Sequence, residues 1–553
     1  MIVAILISMV LCVVGQYIAI SLGMMPWSTV LVAIVVLGVL NALSRLSRKR
    51  VSIHEVVVTQ AAGSVGILMG AGVAFVLPGI WYVEGYATFP IPIWTVGLLA
   101  AVGGLLGVVI SNSFREEFID VEELPFPAGK AAGDVLKAGD EGGGKAKLVL
   151  VTGVLTGLFV LLRDRILPQE WNPLSLEGLA EHNIFISIKF SLMSFAGGWL
   201  LGPYYSTTWF LGGLFAWIFL MPALIEGFTG EGLTDPVGAA NVFRISVGTG
   251  VVIGSGICFL ILGLGPKIKQ LISAFLRALT EQSLRLPLIV VGASIVALYA
   301  TDVLGIASSI FAVAGVFIMT PLAAKTTGET NIDPMEIFGI LVFLFASAIL
   351  TLPIVEAFYV ICIVTIGTGV AGDIMHDFKT AKMLGTEPFH ITKMQILAVI
   401  GAAIMAGVGL NVLFDAYGVS PPDGIGQVTG ALPAPQSKIV NLFVESIAGG
   451  GLPYPNAFMG GFAFGFLLQA AGFVMRYLGK NVTISAFSFG IGIFLAMQVS
   501  IPIFLGGLAK FIADRRKASR ERGDLVAASM LGGEGIVGFL LATQVILPFL
   551  PGL

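Results

Sequence analysis

Charged side chains are scarce in this sequence. Of its 553 residues, 11% are Asp, Glu, Lys or Arg and 56% are hydrophobic, and the mean hydropathy is +0.97. A soluble fold of this size needs a polar shell, and so few charges cannot supply one. The composition therefore excludes a cytosolic or secreted enzyme and indicates a protein whose surface largely faces lipid.

Cysteines and basic clusters are also sparse. The three cysteines, Cys12, Cys258 and Cys362, all lie inside apolar runs, which argues against a disulfide framework and against a cysteine-based metal site. The formal net charge is −3 and no extended basic patch exists outside short loops. Nucleic acid is therefore not an expected partner.

Catalytic motifs are missing as well. The sequence contains no H-E-x-x-H, no G-x-S-x-G and no Walker-type glycine loop, which disfavours an intramembrane protease, a hydrolase and an ATP-driven pump. His376 stands beside Asp377, and we expect this pair to be solvated in a cytoplasmic loop rather than to bind a ligand. The predictions are no enzymatic activity, no metal and no cofactor.

Long apolar runs dominate what is present. A span needs about 20 apolar residues, and up to 17 candidate elements occur, several of them short. The first run has no basic segment before it, so we interpret it as a membrane helix rather than a cleaved signal. The expected fold is an all-α polytopic membrane protein with about 16 transmembrane elements. The candidates are 2–23, 26–44, 52–80, 92–112, 147–162, 184–202, 207–225, 244–264, 287–300, 304–324, 335–352, 356–375, 394–414, 439–452, 457–475, 482–509 and 525–549.

Lysine and arginine in the loops predict the orientation, because cytoplasmic loops carry an excess of both. Placing all basic loops in the cytoplasm puts the N-terminus there too, in a multi-pass protein of the cell (plasma) membrane. An odd number of crossings then separates the two termini. The basic loops are 45–50, 115–147, 267–285, 379–393 and 515–522.

Two glycine-rich stretches resemble each other. Residues 194–217 and 446–466 both begin S-[FI]-A-G-G, continue through a Pro/Tyr turn and end in F-[LM]-G-G. The repeat predicts two tandem transmembrane halves in the same orientation. Their expected bounds are 1–264 and 287–509, with an amphipathic cytoplasmic linker at 265–286 and a basic loop with a final helix at 510–553.

The repeated stretches also predict paired broken or re-entrant helices. Glycine and proline interrupt a helix, and irregular backbone at membrane depth survives only where it is buried or lines a polar cavity. We therefore expect substrate to contact Tyr204, Tyr205, Tyr454 and Asn456. The alternative is that these residues form ordinary tight turns at a membrane surface, with tyrosine in the interfacial belt.

A few charges interrupt apolar runs, where each costs on the order of 3 kcal/mol at mid-bilayer. Lys189 is expected in the helix entering the first repeated stretch, and Glu445 in the helix entering the second; both are candidate substrate contacts. Glu445 and Glu534 are the candidates for proton coupling. Lys189 and Glu445 could instead pair structurally. Asp302 and Glu356 lie near element ends and are weaker candidates.

Two loop motifs resemble a known family. Glu123–Ala131 (ELPFPAGKA) and Gly372–Thr380 (GDIMHDFKT), which is followed by Leu384-Gly385, are similar to signatures of the oligopeptide transporter family, prokaryotic branch. That family includes the yellow stripe-like metal-chelate transporters. Shorter stretches at Asn331–Met335 and Gly532–Gly535 are also similar. The motif residues are Pro125, Phe126, Pro127, Gly129, Asp373, Asp377 and Lys379.

The resemblance implies a secondary active, proton-coupled importer of small oligopeptides, peptide derivatives or metal-chelate complexes, working by alternating access. Its partners would be that substrate and the lipid bilayer, with a homodimer left open. Family members are usually described with 16 helices, whereas the charge bias here favours an odd number. The P-F-P loop could cap a cytoplasmic gate or act as a rigid connector. The alternative function is a channel or a substrate-sensing membrane protein without coupled transport.

Overall fold

The computed structural model describes most of the chain. It describes residues 1–553 except 24, 26–27, 48–50, 84–88, 141–143, 167–173, 176, 265–284, 331–332, 334, 419–431, 449–453, 480–484, 496, 516 and 547–553. The predicted linker at 265–286 therefore lies outside the described residues up to 284. Gly449, Gly450 and Pro453 of the second glycine-rich stretch lie outside them as well.

Helices make up nearly all of the described chain, which confirms the all-α polytopic membrane class. In the first part they are α1 (Ile2–Leu22), α2 (Ser28–Ser47), α3 (Ile53–Val76), α4 (Ile93–Arg115), α5 (Pro127–Asp140), α6 (Gly144–Arg165), α7 (Glu177–Ala180), α8 (Leu192–Leu201), α9 (Pro203–Leu214), α10 (Met221–Gly230) and α11 (Pro236–Cys258). A 3-10 turn at Leu77–Tyr82 extends α3, and π-helical turns at Glu116–Val121, Phe215–Leu220 and Phe259–Leu264 extend α4, α9 and α11. Two short antiparallel strands, β1 (Leu174–Ser175) and β2 (Ser187–Ile188), pair with each other.

The second part continues in the same way. Its helices are α12 (Arg285–Ala300), α13 (Ile306–Thr330), α14 (Met335–Ser347), α15 (Ile354–Leu384), α16 (Pro388–Tyr417), α17 (Pro435–Ala448), α18 (Pro455–Tyr477), α19 (Ala486–Phe494), α20 (Met497–Ala513) and α21 (Lys517–Ile546). Among the described residues, nine helical stretches are long and apolar enough to cross a membrane. Large apolar side chains such as Leu155 and Ile400, each 60% exposed, cover outer faces, as lipid-facing helices require.

The chain forms two compact units. Unit 1 comprises 1–151, 267–418 and 538–553; unit 2 comprises 152–266 and 419–537. Each unit therefore combines segments from both predicted halves. The boundaries of the compact units differ from the boundaries of the predicted tandem halves. The division into halves stays a prediction, because a sequence repeat and a compact unit are different properties.

Unit 1 is built around α3 and α15. Of the most apolar stretch of each helix, 100% of the residues are buried in α3 and 83% in α15. Helix α3 packs on α1, α15 and α16, and α4 packs on α15 and α16. Close packing rests on glycine: a Cβ at Gly66 or Gly70 of α3 would overlap the Ser8 or Cys12 carbonyl of α1. Small residues let membrane helices approach backbone to backbone, which accounts for the glycine content.

Unit 2 contains helices too short to span a membrane. Helix α8 has 10 residues, about 15 Å against a hydrocarbon core of about 30 Å. It ends at Gly202, whose φ of 86° lies in the region that glycine tolerates, and Pro203 starts α9. Helix α8 packs on α20, and α9 packs on α19 and α20. The predicted span at 184–202 is thus helical only from Leu192.

Two predicted cytoplasmic loops are largely helical. Helix α15 continues to Leu384 and is closed by Gly385 at a φ of 68°, and α16 begins at Pro388. The loop predicted at 379–393 is therefore reduced to Gly385–Glu387. Similarly, α21 begins at Lys517, inside the basic segment predicted as a loop.

Candidate functional site

A buried ion pair lies in unit 2. Arg163 Nη1 donates to Glu534 Oε1 at 2.8 Å, and each side chain is 2% exposed. Arg163 also donates to both oxygens of Asp164, at 2.6 and 2.9 Å, and to the Phe190 carbonyl at 2.9 Å. The guanidinium thus bridges the end of α6, the start of α8 and the middle of α21.

The Glu534 carboxylate also binds the beginning of α8. Its Oε2 accepts from the Met193 backbone N–H at 2.8 Å, and its Oε1 accepts from the Ser191 hydroxyl at 3.2 Å. Ser191 is the N-cap of α8 and accepts from the Ser194 N–H. A negative charge at this position satisfies free helix N–H groups and complements the helix dipole.

Small residues create the room for this contact. A Cβ at Gly533 would lie 2.7 Å from the Gly153 carbonyl oxygen of α6, so α21 and α6 approach closely beside Glu534. The glycines at 532, 533 and 535 leave room for this close approach of two backbones beside Glu534.

The structure corrects the expected setting of Lys189. This residue was expected in a helix, but it follows β2 in non-helical backbone, and its carbonyl accepts from the Ser191 N–H at 3.0 Å. The apolar run that suggested a span is interrupted because Ser187 and Ile188 pair with β1 instead of continuing α8 backwards. Lys189 nevertheless lies two residues before the cap that binds Glu534.

The other predicted substrate residues are dispersed over several elements of unit 2. Tyr204 is exposed and Tyr205 half-buried in the first turn of α9, while Asn456 is exposed in the first turn of α18. Glu445 is half-buried on α17, where Oε2 accepts from Asn441 Nδ2 at 3.0 Å. Tyr454 lies against Phe243 and Phe228, with ring centroids 5.3 and 6.2 Å away. Their role in substrate binding stays a prediction.

The two weaker candidates lie at helix ends in unit 1. Asp302 occupies a turn with a φ of 56°. Glu356, in the first turn of α15, accepts from Ser308 and from the Gly305 N–H.

The two family motifs meet in unit 1. The Phe126 N–H donates to the Gly328 carbonyl at 2.9 Å, and the fully buried Phe126 ring makes an edge contact with His376 at 5.5 Å. The Gly129 N–H donates to His376 Nδ1 at 3.2 Å, and Thr380 Oγ1 donates to the Gly129 carbonyl at 2.8 Å. The P-F-P segment is therefore docked on the end of α15.

Two lysines bind the residues that directly precede the P-F-P segment. Lys325 Nζ binds both oxygens of Glu122, at 2.7 and 2.8 Å, and its side chain is 1% exposed. Lys379 Nζ donates to the Leu124 carbonyl at 2.8 Å. These bonds tie the segment from Glu122 to Gly129 to α13 and α15, and its role as a gate cap or as a rigid connector stays a prediction.

The structure also corrects the expectation for His376 and Asp377. Both are buried inside α15 rather than solvated in a loop. Because Nδ1 accepts a backbone N–H, the imidazole is neutral there. The segment remains helical because its polar groups find partners inside the protein, which hydropathy alone cannot reveal.

Asp373 and Asp377 are surrounded by neutral donors. Asp377 Oδ1 accepts from Gln60 Nε2 at 2.6 Å and Ser64 Oγ at 3.0 Å, and its Oδ2 accepts from Gln395 Nε2 at 3.1 Å. Asp373 Oδ1 accepts from the hydroxyls of Ser28 and Thr29, both at 2.8 Å.

Asp333 lies between α13 and α14 next to this cluster. Burial of its carboxyl raises the pKa of Asp333 well above its usual range, and the charges of Glu336 and Asp373 act in the same direction. Among the described residues, no group of three His, Cys, Asp or Glu side chains is arranged to hold a metal ion.

Sequence reasoning missed several members of these two sites. Gln60 and Gln395 are amides inside apolar runs, which is the signal that could have found them. Arg163 stands at the end of its run, next to Asp164, and resembles a solvated terminus. Lys325 could not be distinguished from a loop lysine, because only the fold brings Glu122 to it.

Comparison with known proteins identifies the family. A family model described as OPT oligopeptide transporter protein matches residues 1–263 and 283–545, almost the whole chain. The chain belongs to the OPT oligopeptide transporter family. A protein of Haemophilus influenzae named "Putative oligopeptide transporter" is 24% identical to it, over 95% of this chain and 92% of the relative.

Membership of the OPT family confirms the resemblance carried by the two motifs. It makes the chain a multi-pass membrane transporter, and the family supports a peptide substrate. Between the two matched ranges, residues 264–282 are unmatched, and they nearly coincide with the expected linker at 265–286.

Proposed function

We propose that the chain is a proton-coupled importer of small oligopeptides in the cell membrane, with a cytoplasmic N-terminus, working by alternating access. Peptide derivatives and metal chelates belong to the same proposed substrate class, and a homodimer stays open. The observation that carries the coupling proposal is the buried Arg163–Glu534 pair at the beginning of α8.

Protonation of Glu534 would change this contact in three ways. It would remove the charge that pairs with Arg163, weaken the bond to the Met193 N–H and leave the dipole of α8 uncompensated. Helix α8 has only 10 residues and ends at the break at Gly202, so a shift of its first turn would not have to bend a long helix. A proton at Glu534 would thereby be linked to movement of a short helix beside the proposed substrate residues.

Substrate recognition is proposed for Lys189, Tyr204, Tyr205, Glu445, Tyr454 and Asn456. A peptide carries an ammonium, a carboxylate and amides, and these residues offer opposite charges, hydroxyl groups and aromatic faces. Tyr454 already packs on Phe243 and Phe228 in unit 2, which supports an aromatic surface there. Glu445 remains the second proposed site of proton coupling.

Uptake of a labelled tripeptide library into proteoliposomes tests the coupling. The wild type is expected to accumulate peptide only when the outside is acidic, and Glu534→Gln should abolish this dependence on the pH gradient. Exposed Glu226 on α10 provides a matched control, and Glu226→Gln should behave like the wild type. The same assay run with Tyr454→Ala should show a higher half-saturating peptide concentration with the gradient dependence intact.

Two results would contradict the coupling proposal. One is wild-type uptake that ignores an imposed pH gradient. The other is a Glu534→Gln variant that elutes as a monodisperse folded protein and still accumulates peptide in response to the pH gradient.

A further inference from the structure

Two buried carboxylates on α15 have no cationic partner among the described residues. Asp373 and Asp377 are 7% and 0% exposed, and their residue spacing places them one turn apart on one helix face. The side chains that bind them are neutral amides and hydroxyls. Buried charges are normally paired or bound to an ion, because an uncompensated one is costly.

Three of the four oxygens of these two carboxyl groups accept hydrogen bonds. Both oxygens of Asp377 accept hydrogen bonds, from Gln60, Ser64 and Gln395. Asp373 Oδ1 accepts two hydroxyls at the beginning of α2, where the helix dipole also favours a negative charge. None of these donors carries a positive charge.

Several oxygens in the same cluster have no hydrogen-bond partner within the described part of the chain. In the pair formed by Asp373 and Asp377, the oxygen without a donor is Asp373 Oδ2. The two glutamines that donate to Asp377 each have an Oε1 atom without a donor. Gln60 and Gln395 are 0% exposed. A buried carbonyl or carboxylate oxygen without a donor is rare, and it requires an explanation such as a bound ion.

Two further oxygens lie against the neighbouring residue. A Cβ at Gly372 would be 2.5 Å from Asp333 Oδ2 and 2.6 Å from Thr327 Oγ1. The Thr327 side chain is 4% exposed, and its hydroxyl finds no hydrogen-bond partner among the residues that the structure describes. Glycine at 372 therefore keeps polar oxygens close to Asp373, and a methyl group would displace them.

We propose that the oxygens around Asp373 bind a dehydrated monovalent metal cation, of which Na⁺ is the probe. Asp373 Oδ2 supplies the charged oxygen, and Asp333 and Thr327, whose oxygens lie against the neighbouring Gly372, supply the others. Hard cations take oxygen ligands. Both oxygens of Asp377 already accept hydrogen bonds, so Asp373 is the α15 carboxyl group with an oxygen left for the cation, and Ca²⁺ serves as the divalent comparison. This site is separate from Glu534 and does not rest on the proposed function.

The test is Na⁺ binding to the purified full-length chain in detergent at fixed pH and ionic strength. The wild type should bind ²²Na⁺ saturably, and its melting temperature should rise with Na⁺ in place of choline, because a ligand of the folded state stabilises it. Asp373→Asn should abolish both effects, and Gly372→Ala, which changes no charge, should weaken apparent Na⁺ affinity at least tenfold. Exposed Asp134 on α5 provides the control, and Asp134→Asn should bind Na⁺ like the wild type.

Three outcomes would overturn the proposal: no saturable ²²Na⁺ binding to the wild type, stabilisation by acid with no response to Na⁺, or stabilisation by Ca²⁺ alone. The first two would assign the compensating role to water or a proton. Because the wild-type measurement needs no variant, misfolding of Asp373→Asn leaves the test decisive. Proton coupling at Glu534 is read out separately, as gradient-driven uptake.

Discussion

Individual charges in this protein are held by specific partners. Arg163 illustrates the point, because its guanidinium binds Glu534, Asp164 and the Phe190 carbonyl and is itself almost wholly buried. Removing one member of such a pair leaves the other as an uncompensated buried charge. The stability of unit 2 should therefore depend on the pair as a whole more than on either side chain.

We expect Arg163→Gln to destabilise the protein by about 3–5 kcal/mol, because Glu534 would lose its cation inside the protein. Thermal unfolding of the detergent-solubilised chain, followed by tryptophan fluorescence, measures this. The double variant Arg163→Gln/Glu534→Gln should recover part of the loss, since neither charge remains. Arg522→Gln changes an exposed arginine of α21 and should be close to neutral; equal losses for both single variants would refute the argument.

Glycine residues set the positions of whole helices, as the contact between α8 and α20 illustrates. Gly198 of α8 faces the Ile503 carbonyl of α20, and Gly506 of α20 faces the Phe195 carbonyl of α8. Each helix supplies the small residue that the other requires. Side chains therefore do not set the separation of these helices; the two backbones do.

Gly198→Ala should separate α8 from α20, because the new Cβ would overlap the Ile503 backbone carbonyl, which cannot rotate away. We expect the free energy of unfolding to fall by several kcal/mol, which is at least as much as overpacked cores usually lose. Peptide uptake should fall as well. Gly227→Ala on α10 is the matched control, since no described atom lies within 4 Å of its added Cβ. It should be neutral or slightly stabilising. Melting temperatures decide, and a Gly198→Ala variant as stable as Gly227→Ala would contradict the packing.

At this scale the sequence predicted the existence of helices better than their extent. The apolar runs identified most helices, and the Gly-Pro signal located the break between α8 and α9. The continuation of α15 through Asp373, His376 and Asp377 was missed, because hydropathy assigns polar residues to loops. Their partners Gln60 and Gln395 are far away in the chain or on the next helix, so the buried cluster depends on tertiary contacts that no local pattern encodes.

The whole molecule is assembled from interleaved segments. Each compact unit draws on chain before and after the linker, and the family match is divided at nearly the same place. The first half, 1–264, therefore contains only part of either unit. Neither half alone buries the surfaces that its helices present to the other segment of the same unit.

Expression of 1–264 and 265–553 as separate chains tests this. Each alone should aggregate in detergent, because the glycine faces of α8 and α11 would lack α20 and α18. Co-expressed, the halves should elute together at the size of the intact chain on fluorescence-detected size-exclusion chromatography. A monodisperse isolated half with a cooperative melt would argue for tandem domains instead.

The α11–α18 contact has a mechanical consequence. Gly250 and Gly254 of α11 receive the Phe458 and Phe462 carbonyls of α18, and two glycines of α18 reciprocate. In this contact the two backbones touch directly, so the helices cannot slide past each other by a change of side-chain rotamers. During a transport cycle these two helices should behave as one stiff lever, so that force applied at either end reaches the other without being absorbed between them.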